Sequence, residues 1–204
     1  FVDSAEVLSE HFKRFFVIGA REDDCISELI EEGKKAEAAM FAATGGANTH
    51  LGAIFSFALF LASYGGYSLR GGDLGLRIIS LAQAKKASGD IHGTHRGGRA
   101  LAEALSGYPA AFKAAGLMEL ASPHRALCSI MAELDDSNLL FRGGEEALAF
   151  IKSEAERLLN LSDDCMIREL SNLDSICIER NISPGGAADM FALSVLIFRL
   201  KASQ

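Results

Sequence analysis

Apolar residues return every three or four positions through most of the chain, the spacing of amphipathic helices. Val2, Ala5, Leu8, Phe12, Phe15 and Phe16 mark one face of a helix from Val2 to Ile18, and Gly19 is placed to end it. A second helix is expected from Asp23 to Ala43, with acidic residues in its first turn and Ile26, Leu29, Ile30 and Ala36 on its apolar side. Its charge run Glu31-Glu-Gly-Lys-Lys35 reads as a solvated face. From Leu51 to Ala62 the only non-apolar residues are Gly52 and Ser56, which leaves no side for water and predicts a buried helix ending near Tyr64-Gly-Gly-Tyr67. Its twelve residues span about 18 Å, short of a bilayer's roughly 30 Å core, so it reads as a core helix and not a membrane span.

Further helices are expected over about 73–87, through Leu105, after Pro109, from Ser122-Pro123 to about Leu134, over 145–159 and over 164–180. The last starts at Ser183 and is almost wholly apolar from Met190 to Leu200. Alternating Val/Ile/Thr segments are few. The expected fold is all-α: a single globular multi-helix domain, residues 1–204, with two buried central helices.

Three interruptions of this pattern carry candidate chemistry. Thr44-Gly-Gly-Ala-Asn-Thr-His50 runs directly into the first buried helix. Gly45 and Gly46 allow close approach of a ligand, and Asn48 or Thr49 can cap the helix. Asn48, Thr49 and His50 then stand at a helix start, where unpaired N–H groups suit an anion. The second, Asp135-Asp-Ser-Asn-Leu-Leu-Phe-Arg-Gly-Gly144, gathers two carboxylates, an amide, an Arg and a flexible pair. The third, Ser183-Pro-Gly-Gly-Ala-Ala-Asp189, heads the second apolar helix as the first motif heads its own. Six Gly-Gly pairs hold twelve of the twenty glycines, and those at 45–46, 143–144 and 185–186 lie beside these polar clusters.

A net charge of −7 argues against a nucleic-acid partner, for which a basic face is needed, yet leaves room for a phosphorylated small molecule held by a few Arg. Cys25, Cys128, Cys165 and Cys177 form no Cys-x-x-Cys pair, so reduced core thiols in a cytoplasmic protein are expected. His92 and His95 lie in a glycine-rich loop without a third ligand beside them, and read as surface residues. Neither a Walker-type loop nor a Gly-x-Gly-x-x-Gly fingerprint occurs.

Taken together, Thr44-Gly-Gly-Ala-Asn-Thr-His50-x-Gly-Ala-Ile-Phe55, Asp136-Ser-Asn138-x-x-x-Arg142-Gly-Gly144 and Arg180-Asn-Ile-Ser-Pro-Gly-Gly-Ala-Ala-Asp189 closely resemble the motifs of the triphosphoribosyl-dephospho-CoA synthase family. The likeness spans most of the chain, in order. It differs at Leu51, where the family usually has Lys, and these residues hold no Lys-Pro-Gly motif, which the family carries upstream. An N-terminal segment is therefore expected to precede Phe1.

The resemblance implies an all-helical cytoplasmic enzyme that uses ATP as substrate. The 2′-hydroxyl of 3′-dephospho-CoA replaces adenine at C1 of the ATP ribose, giving the prosthetic-group precursor of the citrate lyase or malonate decarboxylase acyl carrier protein. Such a glycosyl transfer needs a base, a grip on the triphosphate and stabilisation of an oxocarbenium-like centre. Under this reading Asp136 is the base or a Mg²⁺ ligand, with Asn138 and Asp189 completing a Mg²⁺ site. Arg142 and Arg180 hold phosphates. Gly45, Gly46, Asn48, Thr49, Gly143, Gly144, Asn181, Ser183, Gly185 and Gly186 line the substrate, and His50 protonates the leaving adenine or binds phosphate. A homodimer is expected. The alternatives are a nucleotide N-glycosidase using water, and a nucleotide-binding paralogue without turnover.

Overall fold

The computed structural model describes residues 2–90 and 99–202, so His92 and His95 lie outside the described residues. Among the described residues the chain forms ten α-helices and no strand. Contacts divide it into two units, Phe1–Gly107 and Tyr108–Gln204.

The first unit holds α1 (Val2–Arg21), α2 (Ile26–Ala43), α3 (Leu51–Arg70), α4 (Leu74–Ala87) and α5 (Arg99–Leu105). α3 is its centre, packed along α1 and touching α2, α4 and α5. Its residues are buried almost without interruption from Ala53 to Ala62, as expected of a helix with no polar side. By length and composition it could cross a bilayer, but 72% of its most apolar window is buried within the fold.

The glycines do different work here from the helix-ending expected of them. α1 runs through Gly19, and α3 runs through Gly65 and Gly66. A Cβ on Gly19 would fall 1.9 Å from the Ala62 carbonyl oxygen, and one on Gly65 would fall 2.1 Å from that of Phe16. These glycines let the backbones of α1 and α3 touch. α1 ends two residues later, where the Arg70 guanidinium donates to the carbonyls of Gly19 (2.7 Å) and Ala20 (2.6 Å) and to Asp23 (2.8 Å). Arginine at the end of a neighbouring helix thus supplies the cap that the chain's own glycine does not.

The buried faces also fall elsewhere. Val2 is 71% exposed, whereas Ser4 is fully buried on the stripe that continues through Leu8, Phe15 and Ile18. Glu32 is likewise buried, not solvated as its charge run suggested. It stands between Leu29 and Ala36 on the inner face of α2, and it is held by His11 (2.7 Å) and Arg14 (3.2 Å).

The second unit comprises α6 (Pro109–Leu120), α7 (Pro123–Glu133), α8 (Ser137–Leu159), α9 (Asp163–Glu179) and α10 (Gly185–Ala202). α10 lies against α6, α7 and α8, and α9 packs on α7 and α8. Ser122 caps α7 by accepting the Arg125 amide, with Pro123 in the first turn, as the Ser-Pro pair predicts. α10 buries the line Ala187, Met190, Leu193, Ser194 and Ile197, and most of its other residues are half-buried. The Asp135–Gly144 interruption is less open than its composition suggests. Helix begins at Ser137 and is broken at Gly144, whose φ of 66° is one glycine adopts readily.

Candidate functional site

The anchor of the second unit's site is Asp136, 2% exposed and placed as the N-cap of α8. One carboxylate oxygen accepts the amides of Asn138 (2.7 Å) and Leu139 (3.3 Å). The other accepts the Ala187 amide at 2.9 Å, and the Gly186 amide also bonds the group. The starts of α8 and α10 therefore aim their first N–H groups at one carboxylate. A carboxylate suits this place because two helix dipoles present their positive ends to it.

The α10 side leaves little room for a side chain. A Cβ on Gly186 would sit 3.1 Å from the Asp136 carboxylate, and one on Gly185 would sit 2.7 Å from the Asn138 amide nitrogen. Gly143 is constrained in the same way, since a Cβ there would meet Ala147 at 2.4 Å and Ile182 at 2.9 Å. Burial pushes Asp136 above the ordinary carboxylate range, while the four amides pull it back.

These contacts bear directly on Mg²⁺. An ionised carboxylate offers about four lone-pair positions, and four N–H groups face them here. Asp136 has nothing left to give a cation, and two helix N-termini would repel one. Among the described residues no group of three His, Cys, Asp or Glu side chains could hold a metal. The set Asp136, Asn138 and Asp189 does not fit a resident Mg²⁺ ion.

Around the anchor two arginines are exposed. Arg142, on the turn before the Gly144 break, is exposed and reaches Asn181 Oδ1 at 3.5 Å. Asn181 adopts a left-handed φ of 51°, which Asn tolerates better than most residues. Arg180 is exposed with its guanidinium 4.3 Å from the centre of the Phe150 ring. Ser183 is exposed, and Asn138, Gly185, Gly186 and Asp189 are half-buried.

The first unit carries its own cluster at the start of α3. Gly45 and Gly46 take φ of 63° and 91°, and Thr44 ties the turn by donating to Ala47 O at 2.6 Å. Asn48 accepts the Leu51 amide at 3.1 Å, so the side chain two residues before the N-cap His50 satisfies α3's first donor. His50 is half-buried, and burial holds its imidazole below the ordinary value. Its Nδ1 lies 2.9 Å from Thr49 Oγ1 and 3.2 Å from Ser4 Oγ. Leu51 is buried in the core, so no charge occupies that helix start.

Sequence reasoning passed over Ser4 and Phe150. Ser4 was detectable as a lone hydroxyl on an otherwise apolar stripe, whereas nothing in the sequence pairs Phe150 with Arg180.

An all-helical chain with glycine-bearing helix starts and exposed arginines beside one of them has features suited to a phosphorylated substrate. The sequence profile of the ATP:dephospho-CoA triphosphoribosyl transferase family matches residues 1–91 and 91–204, and the chain belongs to that family. A protein of Albidiferax ferrireducens assigned as a 2-(5″-triphosphoribosyl)-3′-dephosphocoenzyme-A synthase is 35% identical, over 87% of this chain and 69% of its own. The synthase of that name from Haemophilus ducreyi is 29% identical over 98% of this chain and 76% of its own. The crystal structure of an Archaeoglobus fulgidus protein assigned as a triphosphoribosyl-dephospho-CoA synthase shares the fold, with a TM-score of 0.58 over 97% of both chains at 14% identity.

Proposed function

We propose that this protein transfers the triphosphoribosyl group of ATP to the 2′-hydroxyl of 3′-dephospho-CoA and releases adenine. The observation that carries the reading is the family match along the whole chain. The family's second and third motifs supply the two helix starts joined at Asp136, which further supports it.

In this reading Asp136 is a positioning residue and not the base. Its carboxylate holds two helix starts in register and takes the Gly186 amide, so that the Asn138 and Ser183 side chains and the Gly185 amide face the triphosphate. Arg142 and Arg180 meet phosphate oxygens, and Phe150 keeps the Arg180 guanidinium oriented. His50 handles a proton of the transfer. Any Mg²⁺ enters as a counterion of the ATP triphosphate, not on Asp136. The product serves the acyl carrier protein of citrate lyase or malonate decarboxylase.

We also place the protein in the cytoplasm, where its four free cysteines stay reduced. Leu69 and Leu76, 70% and 66% exposed, favour a homodimer that covers them. Light scattering of the purified protein tests the dimer. Adenine release in the presence of each substrate alone and of both tests the chemistry: release with ATP alone would favour the N-glycosidase, and ATP binding without turnover the inactive paralogue.

A further inference from the structure

Three serines lie on α3, and two of them bond back to the helix: Ser63 Oγ donates to the Leu59 carbonyl at 2.7 Å and Ser68 Oγ to that of Tyr64 at 2.8 Å. Ser56 does not. It is fully buried, and its Oγ has no hydrogen-bond partner among the described residues, a desolvated hydroxyl that costs the folded protein stability. A helical side chain leans back over the turn N-terminal to its own Cα, so this hydroxyl faces the turn at Gly52, which carries no side chain. Gly52 is half-buried, and Asn48 beyond it is exposed, with its side-chain oxygen on the Leu51 amide at 3.1 Å. Ser56 therefore looks towards the open start of α3. From Thr44 to Leu69 the chain holds no Lys, Arg, Asp or Glu, so this stretch brings no permanent cation to offset a buried phosphate. A neutral planar ring suits it better: apolar side chains cover the faces, and one hydroxyl, which can donate or accept, meets a ring nitrogen or an amino group at the edge.

We infer that Ser56 is a specificity residue whose hydroxyl pairs with the edge of an adenine ring bound at the start of α3. The inference rests on the proposed function, in which both substrates are adenine nucleotides, and adds where a base is read. The partner that the hydroxyl lacks arrives with the substrate. A site built to hydrogen-bond its ligand rejects one that cannot return the bond, and the free protein is less stable for it.

Ser56→Ala in the full-length protein removes the hydroxyl and little else. Ser63→Ala is its control, because it makes the same change of helix propensity on the same helix but breaks a bond that is made. Without nucleotide, Ser56→Ala should melt at a higher temperature than Ser63→Ala. An equal or lower value shows a hydroxyl already satisfied, for instance by a resident water, and overturns the inference. Calorimetric titration then reads binding. Ser56→Ala should weaken ATP, 3′-dephospho-CoA or both by about 5-fold, the loss of one neutral hydrogen bond, with inorganic tripolyphosphate behaving as in wild type and Ser63→Ala weakening neither nucleotide. The nucleotide that moves is the one whose adenine Ser56 meets. Wild-type affinity of Ser56→Ala for both nucleotides, or an equal loss for tripolyphosphate, contradicts the assignment. Binding is read without turnover, so a protein that binds these nucleotides but releases no adenine would sink the transferase reading and leave Ser56 standing.

Discussion

Asp136 and Ala187 stand 51 positions apart, and the carboxylate of one accepts the amide of the other at 2.9 Å in the buried interior of the second unit. That bond, with those from Asn138, Leu139 and Gly186, makes α8 and α10 start at the same point. Asp136→Asn keeps the volume but turns an NH₂ group towards backbone donors. It should cost about 3 kcal/mol, the scale of a broken buried charged network. Urea unfolding measures the loss, and hydrogen exchange should locate it in the first turns of α8 and α10. Unchanged exchange there would contradict the anchor.

The glycines of the first unit make a paired test. Gly19→Ala drives a Cβ into the Ala62 carbonyl and should cost about 3 kcal/mol by overpacking. At Gly33, inside α2, an added Cβ meets nothing within 4 Å, and Gly33→Ala should instead stabilise by about 0.5–1 kcal/mol. Opposite shifts in melting temperature would bear this out.

Glu32 gives a pH signature. Burial pushes it up, but the His11 hydrogen bond and then Arg14 more than offset this, leaving it below its ordinary 4.5. A carboxylate depressed by folding binds fewer protons folded than unfolded, so its contribution is present above pH 4.5 and fades as pH falls through the lower folded value. Glu32→Gln should therefore be less stable than wild type near neutrality, with the gap closing as the pH falls below 4.5. A gap that widens with acid would contradict the assignment.

The helical class and the positions of all three motifs were legible in the sequence because periodicity and helix-start chemistry are local. Partners distant along the chain were not. Gly19 looked like a helix end because its reason for being glycine is Ala62 on another helix. Glu32 looked solvated because the groups that make its burial tolerable, His11 and Arg14, lie on α1. Asp136 looked like a base or metal ligand because the Gly186 and Ala187 amides that occupy it come from the far end of the unit. Asn48, whose partner is three residues away, could be recognised as a capping residue.

Arg142 and Arg180 should act in binding more than in turnover. Arg180→Lys keeps the charge but loses the planar group over Phe150, and Arg142→Ala removes the guanidinium proposed to meet phosphate. Each should raise KM for ATP by about 10-fold, from a lost charged hydrogen bond of about 1.5 kcal/mol. Steady-state kinetics at fixed dephospho-CoA decides it, and an unchanged KM would remove these residues from the phosphate grip.

The central claim is tested most directly by incubating the full-length protein with ATP, with 3′-dephospho-CoA, and with both, and quantifying adenine alongside the nucleotide product by mass spectrometry. The account predicts adenine only when both are present, matched one-to-one by triphosphoribosyl-dephospho-CoA. Adenine from ATP alone, or no adenine from the pair, would contradict it.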